Sequence, residues 1–347
     1  MSTTRKQTTS KAYEATHVST ESLLRQRHHV RRFGLQTQLK ATSAISGLHG
    51  SRFRGRGMDY AESRIYEPGD DIRNMDWRVT ARTGRPHTKM FSEERERPVI
   101  FVVDANASMK FGTRTQFKSV AAAKSASLLA WSVVNNGDRV GLMTFGPAGI
   151  AFDKPAGGKR GMMRLIQHLV RADADSPAEA ESARSLAETL KKLRSLVLPG
   201  SMVVILSDFH HPGEDAKRHL VQLRKHNDVL AFVVSDPFEL HAPPPGLYGV
   251  QSGGRMAVFN AMKRAPRKAF ETLAGTRLQQ ARSLTQSTNV PLIPLLTNDA
   301  LPEVISQMIK NPDAAWRQRL KNHPDLQEIM PAEPPAKTAQ AMENHRP

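Results

Sequence analysis

The chain has 347 residues, 39% of them apolar, enough for a sizeable core built as one large or two small domains. It has no cysteine, which excludes disulfides, thiolate metal sites and thiol catalysis. Fifty Lys and Arg against 33 Asp and Glu leave a net charge of +17, a balance that attracts polyanions or acidic protein surfaces and says nothing of fold.

Residues 1–18 are polar, rich in Ser, Thr and Lys and without apolar period, and read as a disordered basic tail. ESLLRQRHHVRRF then sets Leu23, Leu24, Val30 and Phe33 at near-helical spacing, with Thr20 as N-cap and Gly34 as stop, which predicts a short amphipathic helix. Over the first 64 residues Arg25, Arg27, Arg31, Arg32, Arg52, Arg54, Arg56 and Arg64 outnumber the acids, so nucleic-acid binding is one function open to this segment. The aromatic platform of a single-strand binder is missing from it. GLHGSRFRGRG is a glycine-punctuated loop, and YEPGDDIRNMDWRVT, residues 66–80, turns at Pro68-Gly69. A helix or turn is expected over 71–82, with Asp70, Asp71 and Asp76 complementing its dipole, Arg73, Arg78 and Arg82 pairing with those acids, and Trp77 as a large apolar anchor. Residues 19–95 thus form an N-terminal, helical and irregular extension.

From Pro98 strands and helices alternate. PVIFVVD, DRVGLMTFG, SMVVILSD and VLAFVVSD are strands; TQFKSVAAAKSASLLAWSVVNN, MMRLIQHLVRA, ESARSLAETLKKLRSLV and EDAKRHLVQLRKHN are helices. Continuous apolar strands need cover on both faces, so residues 96–310 are expected to form an α/β domain with a doubly wound, mostly parallel sheet. PFELHAPPPGLYGV with RMAVFNAM reads as an inserted hairpin or loop at a sheet edge. ARSLTQSTN reads as a helix, VPLIPLLT as a last strand whose prolines suit an edge, and LPEVISQMI as a closing helix. A short helix around 314–320 and a largely disordered tail complete residues 311–347. The longest apolar runs fall far short of the roughly 20 residues of a membrane span, and no signal-peptide pattern precedes them, so a soluble, cytoplasmic protein is expected.

In open α/β sheets ligands bind at the carboxyl ends of the strands. Asp104 closes VIFVV and Asp208 closes MVVILS; with Asn106 and Ser108 they make a hard oxygen set suited to Mg²⁺. The blander role for both aspartates is capping of the helices that follow.

DANASM at 104–109, GDRVGLMTF at 137–145 and ILSDF at 205–209 resemble the von Willebrand factor A fold, a Rossmann-like architecture, and its metal-ion-dependent adhesion site. The long stretch over residues 55–113 resembles the signature of the bacterial domain-of-unknown-function 58 (DUF58) family. The resemblance implies a metal held by Asp104, Ser108 and Asp208, with Asn106 where the motif has its middle Ser. It leaves a gap at PAGGKRGMM, residues 155–163, which has Lys159 and Arg160 and no Thr; in an ion-free crevice one of these cations would pair with Asp104 or Asp208. For function it implies a non-enzymatic protein-interaction module, an adaptor or co-chaperone that works with a MoxR-type AAA+ ATPase and its client proteins. A metal-dependent phosphoester hydrolase using the carboxylates, with His210 and His211 nearby, is the enzymatic competitor. Against it, no second aspartate follows Asp104 at two residues and no phosphate-cradling Gly-x-x-x-x-Gly-Lys-Ser/Thr loop is present.

Overall fold

Five apolar runs, VIFVV, GLMTF, MVVIL, VLAFVV and LIPLL, become five parallel strands buried along almost their whole length. The computed structural model that shows this describes residues 12–33, 59–67, 70–92, 98–176, 183–240, 243–252 and 255–310. In chain order the elements are α1 (Thr20–Phe33), β1 (Asp59–Ile65), α2 (Trp77–Thr83), β2 (His87–Ser92), β3 (Pro98–Asp104), α3 (Lys118–Asn135), β4 (Arg139–Gly146), β5 (Gly149–Ala156), α4 (Gly158–Ala174), α5 (Leu186–Leu196), β6 (Met202–Ser207), α6 (Ala216–Arg224), β7 (Asp228–Ser235), the single turn α7 (Pro237–Leu240), β8 (Leu247–Ser252), β9 (Arg255–Asn260), α8 (Arg264–Ser287), β10 (Leu292–Leu296) and α9 (Leu301–Lys310). The chain divides into two compact units, residues 49–97 and the rest.

The larger unit is the expected doubly wound α/β sheet, in the order β10-β7-β6-β3-β4-β5. Only β5 runs antiparallel, as a hairpin partner of β4. The chain winds from β3 outward through β4 and β5, then returns to the other side of β3 for β6, β7 and β10, so the winding reverses between β3 and β6. Helices α1, α3, α4 and α9 contact one another, and α5, α6 and α8 form a separate group. Helix α3 is buried nearly all round. Its alanines at 121, 122, 123, 126 and 130 let neighbouring elements approach closely, and such a helix belongs in the core rather than at a surface.

Several expectations are corrected. Residues 12–18 are ordered: 12–16 are helical, the Ala15 carbonyl accepts from Phe117 N (2.8 Å), and the Val18 amide donates to Asp173 (2.9 Å). Main-chain bonds to distant residues leave no trace in local periodicity. Helix α1 packs on α3, burying Leu23 and Val30, and so joins the α/β unit rather than the signature segment. Strand β5 was not foreseen, because GIAFDKPA is half-buried and carries Asp and Pro. Helix α8 begins far ahead of ARSLTQSTN. The insertion is the antiparallel β8–β9 hairpin, and β10 with Pro294 takes the edge, both as read from the sequence. Residues 1–11 and the tail beyond 310, with its helix at 314–320, lie outside the described residues.

In the smaller unit β1 and β2 pair antiparallel. Asp76 caps α2 by accepting from the Val79 amide and accepts from the Ser63 hydroxyl at 2.6 Å; that hydroxyl first, then the Val79 amide, holds its carboxyl below the usual value. Asp71 likewise caps the turn at Arg73, and Asp70 pairs with Arg64 rather than with Arg73, Arg78 or Arg82. Trp77 is 67% exposed and is not the anchor expected of it. Placing it at the first helical position turns it outward, while the capping aspartate before it is buried.

Candidate functional site

The reversal between β3 and β6 sets Asp104 and Asp208 side by side at the carboxyl edge of the sheet, where a doubly wound fold has its crevice. Both are buried, and their bonds are already made. Asp104 Oδ1 accepts from the Asn106 amide (2.9 Å) and from Asn106 Nδ2 (2.8 Å), and Oδ2 accepts from Ser207 Oγ (2.6 Å). Asn106 Nδ2 also donates to the Arg184 carbonyl while Oδ1 accepts from the Arg184 amide (2.9 Å). That pattern fixes which way the amide points: its nitrogen faces two acceptors and its oxygen a donor. Asn106 therefore latches the approach to α5 onto β3.

Asp208 meets a cation the sequence reading overlooked. Lys118, the first residue of α3 and 1% exposed, donates from Nζ to Asp208 Oδ2 (2.8 Å) and Glu239 Oε1 (2.6 Å), with the Phe111 ring 5.9 Å away. An ammonium there pays twice, for burial and for the positive end of the helix dipole, so it requires both carboxylates. Burial pushes Lys118 down, but Asp208 and Glu239 outweigh it and hold its pKa above the usual lysine value. Burial likewise works to raise Asp208, and the Lys118 charge overcomes it, keeping Asp208 ionised below the normal range. Asp104 lacks such a partner: burial, then the Asp208 charge, push it up to about 7. The network continues through Glu239 Oε2, which accepts from the Asp236 amide, to Asp236, whose carboxylate takes Thr113 Oγ1 (2.6 Å), the Thr113 amide and Thr297 Oγ1. A second buried pair, Lys110 with Asp173, lies along the same edge; Lys110 and Asp173 line, with Asp104, Asn106 and Thr144, a cavity of about 20 Å³, room for a single water.

Tested against Mg²⁺, this donor set does not fit. Asp104 has both oxygens engaged, the Asn106 oxygen is committed to Arg184, and an ammonium sits against Asp208. Ser108 Oγ is buried beside Asp208 and, after Lys118, contributes to holding that carboxyl down. Among the described residues no cluster of three His, Cys, Asp or Glu could hold a metal. The cation beside Asp208 is Lys118, not Lys159 or Arg160, which are exposed at the start of α4. Asp236 was legible in principle, since it ends VLAFVVSD as Asp104 and Asp208 end their strands. Lys118 carried a subtler sign, a lysine opening a helix that is apolar on every side. His210, whose amide donates to Asp208, is pushed down to about 4 by burial and then by Arg277, leaving a neutral ring. Phe209 between them takes a left-handed φ of 54°, and its amide is held by Ser207 Oγ. Of the basic N-terminal residues, Arg52, Arg54 and Arg56 lie outside the described residues, while Arg64 pairs with Asp70 and Glu67.

Beside the closed crevice stands the β8–β9 hairpin. Opposed residues share a face, so Tyr248 and Phe259 face one way and Leu247, Met256 and Val258 the other. The first face packs through Tyr248 on Phe238 (5.7 Å) and Phe259 on Phe270 (5.6 Å); Phe238 lies between Asp236 and Glu239 in the chain and also meets Phe111 (6.1 Å). The second face is open: Leu247 is 63%, Val258 71% and Met256 81% exposed. Met262, just after the hairpin, and Leu273 on α8 are exposed too, as are Lys263, Arg264 and Lys268, which follow β9 in the chain.

A family model described as "Protein of unknown function DUF58" matches residues 62–280. An uncharacterized protein of Mycobacterium bovis and one of Mycobacterium tuberculosis are each 30% identical over 280 residues, which cover 80% of this chain and 86% of theirs. Among solved structures, the conserved hypothetical protein BatB from Bacteroides thetaiotaomicron is similar at 14% identity and TM-score 0.39, over 61% of this chain and 97% of that one. A von Willebrand factor type A protein from Catenulispora acidiphila is similar at 13% and 0.36, over 64% and 43%. Among the described residues no helix is long and apolar enough to cross a membrane.

Proposed function

The chain belongs to the DUF58 family, whose description assigns no activity, and we infer its function from the site. We propose that it is a non-enzymatic protein-interaction module, an adaptor that docks an acidic partner of the MoxR-type AAA+ ATPase class on the outer face of the β8–β9 hairpin. The observation that carries this reading is the unpartnered face of Leu247, Met256 and Val258, an apolar patch with exposed Lys263, Arg264 and Lys268 alongside. A net charge of +17 favours an acidic partner, and a basic rim would steer its approach and set its register. The opposite face of the same hairpin is anchored by Tyr248 and Phe259 on the aromatic cluster around Phe238, so the docking surface is presented on a fixed support. The buried carboxylates support a structural role for the crevice: Asp104 and Asp208 hold the sheet edge, each with both oxygens already hydrogen-bonded within the chain.

The test is capture of tagged protein from its own nuclease-treated cells at moderate salt, with wild type beside Met256→Glu and Val258→Glu. Recovery of an AAA+ ATPase by wild type and its loss in both variants, with unchanged thermal midpoints, is the expected result. Equal recovery by all three would move the docking surface elsewhere, and recovery of no ATPase by wild type would remove the adaptor reading.

A further inference from the structure

We propose that the Lys118 ammonium takes the place of a divalent cation at this crevice, so that the site is permanently filled by the chain's own charge and is closed to metal ions. Such a cation needs several oxygens converging with lone pairs to spare. Here the oxygens of Asp208 and Glu239 do converge, but on Nζ, at 2.8 and 2.6 Å. These are charge-assisted contacts at the short end of the N–H···O range. The remaining candidates are already engaged: both oxygens of Asp104 accept from Asn106 or Ser207, and Asn106 gives its oxygen to Arg184.

The position of Lys118 makes an incidental contact a poor explanation. A lysine at the first position of a helix is ordinarily free to reach water, and the dipole there opposes its charge. This one is 1% exposed and turned into the sheet edge. It joins three segments that follow different strands: Asp208 after β6, Glu239 after β7, and its own helix after β3. A bound ion at a switch point would do the same cross-linking, but it would leave with a chelator; an ammonium on the chain cannot. The staple is therefore built in.

The test uses the full chain and Mn²⁺ as probe, read by the electron paramagnetic resonance signal of the free ion, together with thermal unfolding in Mg²⁺ and in EDTA. For wild type the free-ion signal should be undiminished by protein, and the thermal midpoint should be the same in Mg²⁺ and EDTA. Uptake of one equivalent of Mn²⁺ by wild type, lost in a folded Asp208→Asn protein, would overturn the proposal. Lys118→Met supplies the second measurement. With the ammonium gone, Asp208 and Glu239 face each other, and a folded variant should remove up to one equivalent of free Mn²⁺ and gain a midpoint that rises with Mg²⁺. A folded Lys118→Met protein that takes up no ion would also overturn it. Neither measurement depends on a partner, so this inference can fail while the docking reading stands, and the reverse.

Discussion

Lys118→Met keeps an unbranched side chain one atom shorter and removes the ammonium with its hydrogen bonds, leaving Asp208 and Glu239 with no cation between them. Removing one member of a buried pair costs about 3–5 kcal/mol, because the charge left behind is uncompensated. The two partners differ in how far they recover. The Glu239 side chain is 26% exposed and can take up water, whereas that of Asp208, at 6%, is shut away from it and keeps the His210 amide on Oδ1. The loss should therefore fall on Asp208 and depend on pH. In wild type its carboxyl is held below the usual value, so it stabilises the fold above the ordinary carboxylate range, and that contribution is lost on acidification. In the variant burial acts unopposed, the folded pKa rises above the unfolded one, and the native state binds the extra proton. Stability of the variant then falls with rising pH by up to about 1.4 kcal/mol per unit, and its deficit against wild type widens. Urea unfolding across pH measures this, with Lys118→Met/Asp208→Asn closing a double-mutant cycle in which the second change restores part of the loss. A deficit under about 1 kcal/mol at mildly alkaline pH, the size of an exposed pair, would refute the reasoning.

Asp104, pushed up to about 7 by burial and by Asp208, should act in the opposite sense to wild-type Asp208: its contribution is full below the unfolded value and is lost as pH rises through about 7. Asp104→Asn should flatten that fall in urea titrations. Gly161 sits in the first turn of α4, where an added Cβ would lie 2.0 Å from the Ala156 carbonyl oxygen, so Gly161→Ala should force α4 away from β5 and cost about 1–3 kcal/mol in the same assay. Met256→Ser, on the open hairpin face, should shift stability by no more than about 0.5 kcal/mol while weakening partner capture.

The parallel strands were legible because VIFVV, MVVIL and VLAFVV are apolar at every position and far shorter than a membrane-spanning helix, which leaves a strand covered on both faces as their use. Strand β5 was not, since an edge strand with one neighbour needs no such run. The order of residues 12–18 escaped because what fixes them is a pair of main-chain bonds to Phe117 and Asp173, each more than 100 residues away. In the crevice the aspartates could be read from their strand ends, but the charge that answers them could not. Lys159 and Arg160 were the cations close by in the expected loop, whereas Lys118 reaches Asp208 across 90 residues only once β3 and β6 are neighbours. Asn106 illustrates the same limit. Its residue type suggested a weaker ligand, and only the Arg184 backbone opposite it reveals a latch.

Hydrogen–deuterium exchange of the protein alone and with its captured ATPase would test the central claim most directly, because it reports both surfaces at once. The account predicts added protection across residues 247–262 on binding, with the segments around Asp104, Lys118 and Asp208 equally protected in both states. Protection gained at 104–110 and 208–211, with the hairpin unchanged, would contradict it and make the crevice the docking site.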